Sequence, residues 1–191
     1  MKKIGVLALQ GAVSEHIERL ESLGNVNPCI VKYREDLEGL DGLIIPGGES
    51  TAIGLLLKNY GLTQPIRDKI QDGLAVWGTC AGMILLAKEL SGGEPPHLQV
   101  MDICVRRNAY GRQLESFTTT VNLPEVSPSP IPLVFIRAPY VERAGADVEI
   151  LLKVDGNIVA CRQGRLLATS FHPELTTDNS FHAYFVNKVC P

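Results

Sequence analysis

A short apolar run, Leu74 to Trp77, passes without a linker into Gly78-Thr79-Cys80-Ala81-Gly82, and a helical pattern follows at once from Ala81 to Leu90. A buried strand that turns so abruptly into a helix has the strand–turn–helix pattern of a nucleophile elbow, a unit of α/β folds. Gly78 and Gly82 lie two positions either side of Cys80, where side chains would collide in a turn this sharp. Cys80 is thereby raised above the carboxyl end of the sheet, the usual ligand-binding edge of an open α/β fold. The first N–H groups of the next helix favour negative charge on its sulfur. The same geometry aims the Ala81 N–H at the oxygen of an attacked carbonyl. Most single cysteines are small buried hydrophobes, and that reading suits Cys29, Cys104 and Cys161 within strand-like runs and Cys190 near the chain end. For Cys80, strand, glycine spacing and helix together point to a nucleophile.

The rest of the first half supports the same architecture. Ile4 to Leu9 is a predicted strand, Val13 to Leu23 a helix with Val13, Ile17 and Leu20 on one face, and Cys29 to Lys32 and Gly42 to Ile45 are further strands. Thr51 to Asn59 and Pro65 to Asp72 are predicted helices, the latter with proline in its first turn. Such alternation builds a parallel sheet covered by helices. From Ser91 the texture changes to short β-prone runs: Val100 to Val105, Phe117 to Val121, Leu133 to Ile136, Val148 to Val154, Asn157 to Arg162 and Leu166 to Ser170. These predict an added antiparallel portion, with Asp155-Gly156 as a hairpin turn. Pro124 to Pro132 reads as an exposed connection, and Ser180 to Val189 as a closing helix packing Phe181, Phe185 and Val189 inward. Residues 1–191 are expected to form a single domain.

Eighteen basic residues against twenty-one acidic ones leave a net charge of −3, which argues against nucleic-acid or membrane-surface binding, since either favours a dominant basic patch. No apolar run approaches the ~20 residues needed to span a bilayer. Five scattered cysteines, odd in number, make neither a disulfide framework nor a metal-ligand pattern, so a cytoplasmic setting is expected, without metal or cofactor.

A thiolate nucleophile needs a base, and the base needs a third group to fix its tautomer. His16 lies among charged neighbours in the first helix, His97 follows two prolines, and His182 sits beside Phe181 on the last helix; all three read as surface or partly packed. His172 instead ends a strand, in Ser170-Phe171-His172-Pro173-Glu174. Proline biases His172 toward an extended conformation, in which residues two apart point the same way, so that Glu174 can meet the far ring nitrogen. His-Pro-Glu alone is a weak signal; its occurrence with the cysteine elbow is a strong one.

Pro46-Gly47-Gly48-Glu49-Ser50 follows the third strand and opens a helix. Its N–H groups suit a carboxylate or a second oxyanion donor at Gly48, and equally a plain glycine turn with Ser50 as the helix cap. The spacing of a phosphate-binding loop is absent. Arg107 and Arg137 stand at strand ends, suited to an amino acid's α-carboxylate, although most such arginines are solvated.

Together, Leu-Gln-Gly-Ala, Pro-Gly-Gly-Glu-Ser-Thr, Gly-Thr-Cys-Ala-Gly, Arg-Asn-x-Tyr-Gly-Arg-Gln, Phe-Ile-Arg-Ala-Pro and Ser-Phe-His-Pro-Glu-Leu-Thr make the chain resemble the glutaminase subunits of pyridoxal 5′-phosphate synthase. These belong to the class I, triad-type glutamine amidotransferases. The resemblance spans nearly the whole chain. It implies a three-layer, flavodoxin-like fold with a mostly parallel sheet, and hydrolysis of L-glutamine to glutamate and ammonia through a thioester on Cys80. Ammonia would pass to a (β/α)₈-barrel synthase subunit that makes pyridoxal 5′-phosphate from ribose 5-phosphate and glyceraldehyde 3-phosphate. The family's glutamine contacts carry over to Gly48, Glu49, Ser50, Arg107, Ile136 and Arg137, its oxyanion donors to Gly48 and Ala81, and a residue near its subunit interface to Gln10. Ala109-Tyr110 depart from the Ser-Phe common at those positions. The glutaminase of another amidotransferase, such as imidazole glycerol-phosphate synthase, would share the triad. A chaperone or protease-like member of the fold would share the elbow, and a non-catalytic activating module needs no triad.

Overall fold

The computed structural model describes residues 1–107 and 116–190. Its first half alternates as expected: β1 (Lys2–Leu7), α1 (Val13–Glu21), β2 (Val26–Val31), β3 (Gly42–Ile45), α2 (Ser50–Asn59), α3 (Thr63–Gln71), β4 (Ala75–Thr79) and α4 (Ala81–Leu86). Strands then dominate, with β5 (Ala87–Leu90), β6 (Met101–Arg106), β7 (Ser116–Val121), β8 (Ile131–Ile136), β9 (Tyr140–Ala144), β10 (Glu149–Val154), β11 (Asn157–Gln163) and β12 (Leu166–Thr169). A 3₁₀ turn at Pro173–Leu175 precedes α5 (Ser180–Tyr184), which runs on as a π-helical turn over Phe185–Val189.

The main sheet runs β2-β1-β3-β4-β12-β11-β9-β6-β5, with β10 beside β11, while β7 and β8 pair in a small sheet of their own. From β2 to β12 every pairing is parallel, in the doubly wound order whose ligand crevice opens at the carboxyl ends of the strands. The partners β11, β9 and β6 pair antiparallel, which is the expected added portion. Asp155 and Gly156 join β10 to β11 with φ of 50° and 81°, the left-handed pair that a two-residue hairpin turn requires.

Alternation along the strands divides the core in two. Leu7, Leu43, Ile45 and Val76 face the side covered by α2, α3 and α4, and Ile4, Val6, Ile44 and Trp77 face Leu20 of α1, Phe181 and Phe185 near the C-terminus, and Phe135 of β8. Three layers result, each large apolar side chain contributing roughly 1.5–3 kcal/mol by burial.

Several elements differ from the sequence reading. The helix from Ala81 stops at Leu86 instead of Leu90, because Leu98 and Val100 donate to the carbonyls of Leu85 and Leu86 at 2.9 and 3.0 Å. Those acceptors are no longer open to a further helical turn, and Ala87 to Leu90 becomes β5 against β6. Strand β9 was hidden by Glu142 and Arg143, both exposed; Glu142 meets Arg106 of the neighbouring strand at 2.6 Å. Cys190, near the chain end, is buried as its reading as a small hydrophobe expected, over Gly42. Among the described residues, no helix is long and apolar enough to cross a membrane.

Candidate active site

Four loops at the carboxyl ends of β1, β3, β4 and β12 meet at one cleft. Cys80 adopts φ 48° and ψ −103°, a strained conformation for a residue with a side chain. The strain is held by the two glycines. A Cβ on Gly78 would lie 2.4 Å from the Gly82 carbonyl, and one on Gly82 would lie 2.1 Å from the carbonyl oxygen of Ile45 in β3. Only at these glycines can β4, β3 and the start of α4 come so close.

His172 is anchored by its N–H, which donates to Val134 of β8 at 2.8 Å. Its Nδ1 lies 2.7 Å from Oε1 of Glu174. An ionised carboxylate only accepts, so Nδ1 carries a proton toward Glu174 and Nε2 is the nitrogen left for the cleft. Glu174 reaches the ring from a 3₁₀ turn and not from an extended strand; proline at the first position of that turn brings the two side chains together by a different backbone route from the one expected. Burial opposes charge on His172, but contact with Cys80 and Glu174 outweighs it and raises its pKa to about 10. Gly47 admits this ring: a Cβ there would sit 2.5 Å from His172 Cε1 and 3.4 Å from Cys80 Cβ.

The cleft is about 390 Å³ and is lined by Gln10, Gly48, Glu49, Ser50, Cys80, Ala81, Ile84, Arg107, Ile136, Arg137, Pro139 and His172. Every residue singled out from sequence except Glu174, which lies behind His172, therefore lines one opening. The helix after Gly48 is capped by Glu49, not Ser50: its carboxylate accepts from Ala52 N–H at 2.7 Å and Thr51 N–H at 3.3 Å. Those bonds, with the Thr51 hydroxyl foremost, hold the Glu49 pKa below the usual carboxylate range. Gln10 Oε1 accepts the Glu49 N–H at 2.8 Å, tying the β1 loop to the β3 loop. Arg107 is already engaged, by Glu94 and, at 3.4 Å, by Glu49. Arg137 follows β8 with φ 47°. The block from Asn108 to Gln113, with the Ala109-Tyr110 departure, lies outside the described residues.

Residues 6–191 match the SNO glutamine amidotransferase family. The chain belongs to that family. Pyridoxal 5′-phosphate synthase subunit PdxT of Ruminiclostridium cellulolyticum is 61% identical, the alignment covering 99% of this chain and 100% of the relative. PdxT of Clostridium botulinum is 53% identical over 98% and 97%. A solved glutamine amidotransferase superposes with a TM-score of 0.90 at 48% identity, covering 96% of each chain. A structure of PurLQS from Thermotoga maritima, 15% identical, gives 0.68 over 97% and 98%, a likeness of fold alone. The family's fold is thus the fold seen here.

Two histidines escaped the sequence reading. His16 and His182 are both fully buried, not surface groups, and their rings meet with Nδ1 of His16 2.9 Å from Nε2 of His182. Burial first, then neighbouring positive charge, holds both pKa values down, that of His182 to about 3. A signal was present. Val13, His16, Ile17 and Leu20 share the i, i+3, i+4, i+7 spacing of one helix face, so His16 points the way Leu20 does.

Proposed function

We propose that the chain is the glutaminase subunit of a pyridoxal 5′-phosphate synthase, hydrolysing L-glutamine through Cys80, His172 and Glu174. The observation that carries this reading is their constellation: a cysteine on a strained elbow, a histidine in contact with it, and a carboxylate 2.7 Å from the far ring nitrogen, in a chain 61% identical to a PdxT subunit.

Cys80 Sγ attacks the side-chain amide carbon of glutamine. The N–H groups of Ala81 and Gly48 take the charge that develops on the carbonyl oxygen. Protonated His172 gives its proton to the departing nitrogen, so ammonia leaves and a thioester to Cys80 remains. Water then enters, His172 takes its proton, and collapse of the second tetrahedral species releases glutamate and the thiolate. Glu174 keeps the imidazole in the tautomer that faces Cys80. Glu49, Ser50 and Ile136 shape the glutamine pocket, with Arg107 and Arg137 for the α-carboxylate. Arg107 must trade a carboxylate it already holds for the one substrate brings.

The ammonia has a destination. PdxT relatives are named as subunits of a synthase, and the partner expected here is a (β/α)₈ barrel that receives ammonia directly. Gln10 is exposed at the rim of the cleft and bonded to the Glu49 N–H, so a partner pressing on it would act on the loop that carries Gly48. Residues 1–191 act as one glutaminase domain, and free cysteines throughout the described residues suit a reducing cytoplasm.

The decisive variant is Cys80→Ala. Ammonia release in the presence of the synthase subunit is expected to fall on the order of 10⁴-fold or more, with the fold intact. Retained turnover would overturn the mechanism, and failure of a glutamine-analogue electrophile to label Cys80 in the complex would favour a non-catalytic activator.

A further inference from the structure

Glu174 is a buried carboxylate with unequal oxygens. Oε1 is taken by His172, whereas Oε2 has no hydrogen-bond partner at normal distance among the described residues. His16 Nε2 stands 3.5 Å from it and 3.3 Å from the hydroxyl oxygen of Thr79, the residue before Cys80. A carboxylate oxygen shut away from water with no donor is costly, and His16 brings a donor to it from across the core.

The proton count in this chain of rings has two solutions. In one, His182 Nε2–H donates to His16 Nδ1, and His16 Nε2–H points at Glu174 and Thr79. His182 Nδ1 is then a bare nitrogen, buried without a partner among the described residues. In the other, His16 Nδ1–H donates to His182, so a lone pair on His16 Nε2 faces the lone pairs of Glu174, and His182 Nδ1–H becomes a buried donor with no acceptor among the described residues. The second arrangement sets like against like and orphans an N–H; the first leaves a single lone pair unused. Trp77 closes the compartment against both rings, with centroids 5.9 Å from His16 and 5.0 Å from His182.

We infer that His16, oriented by His182, is a positioning residue of the triad: its Nε2–H holds the second oxygen of Glu174 and so keeps the carboxylate turned toward His172. The pair supplies donors without charge. The titratable groups facing it are Glu174 and His172 from the turn after β12 and Arg19 from α1, and burial keeps both rings neutral where a free histidine would titrate. A positively charged His16 would compete with His172 for Glu174, whereas a neutral one only steers it.

The inference rests on the triad proposed above, and its test separates the two. With the full chain assayed beside its synthase subunit, His16→Leu is expected to lower kcat about 10- to 100-fold, the effect of losing a hydrogen bond to a charged group, while KM for glutamine stays put. His16→Gln, whose amide nitrogen can still donate, recovers most of the rate. A His16→Leu enzyme with wild-type kcat, or a Gln variant as slow as the Leu variant, overturns the role. Nitrogen-15 NMR of the unmutated protein reads the same point without relying on a variant to fold. His16 should appear as the Nε2–H tautomer and stay neutral through about pH 6.5, and an Nδ1–H tautomer or an ordinary titration overturns the inference. Turnover surviving in Cys80→Ala would sink the triad instead and leave the NMR result standing.

Discussion

The two halves of the sheet feed the cleft in different ways. The parallel half delivers Cys80 and His172 on backbone that cannot be placed otherwise: Gly82 touches the Ile45 carbonyl, Gly47 touches the His172 ring, and Cys80 sits at φ 48°. The added half delivers Arg107 after β6, and there the fixing is by side chains. Arg107, Glu94 and Glu49 are partly exposed, and surface ion pairs of this kind are worth only about 0–1 kcal/mol. On the proposed mechanism, the atoms that make and break bonds are thus held by sterics and the carboxylate grip by exchangeable charge. That suits a group that must release one anion to bind another.

The contrast can be broken most forcefully at the elbow. Gly82→Ala drives a methyl group into the Ile45 carbonyl, at 2.1 Å, and is expected to cost about 1–3 kcal/mol, or roughly 3–10 °C in Tm, and to remove most glutaminase activity with it. Wild-type Tm and turnover would show that the elbow has slack. A smaller effect is expected in alkali. His172 binds its proton with a pKa of about 10, against an ordinary value near 6.5, so its contribution to stability is complete below about pH 6.5 and is lost as pH climbs toward 10. In Cys80→Ala one of the two groups that raise this pKa is gone, and the decline of Tm over that range, followed by circular dichroism, should be shallower than in the wild type. An identical slope would mean that Cys80 does not help to hold the proton on His172. The smallest effect belongs to the added half. Glu94→Gln loosens a carboxylate from Arg107 and should lower KM for glutamine by a few-fold, within the ~1 kcal/mol of an exposed pair, leaving kcat and Tm unchanged. A rise in KM would show that Glu94 helps to aim Arg107.

What could be read from the chain alone is what neighbours in sequence decide. Glycines two positions either side of Cys80 encode the elbow within a few residues, because steric exclusion acts locally; Glu174, two positions after His172, meets its ring as expected, although through a 3₁₀ turn and not the extended backbone that proline suggested. The pairing of β5 with β6 escaped that reading, since the carbonyls that end α4 are claimed by residues more than ten positions away. So did the Arg107–Glu94 contact, which depends on two loops meeting. His16 and His182 stand 166 positions apart, and each lies on an apolar helix face that could have buried a histidine against anything. Sequence determined that this chain would raise a cysteine on an elbow and set a histidine and a carboxylate side by side; only tertiary packing decided what stands behind the carboxylate. The physical reason is that a turn is built by adjacent atoms excluding one another, whereas a buried hydrogen-bond chain exists only once separate elements have closed over it and shut out water.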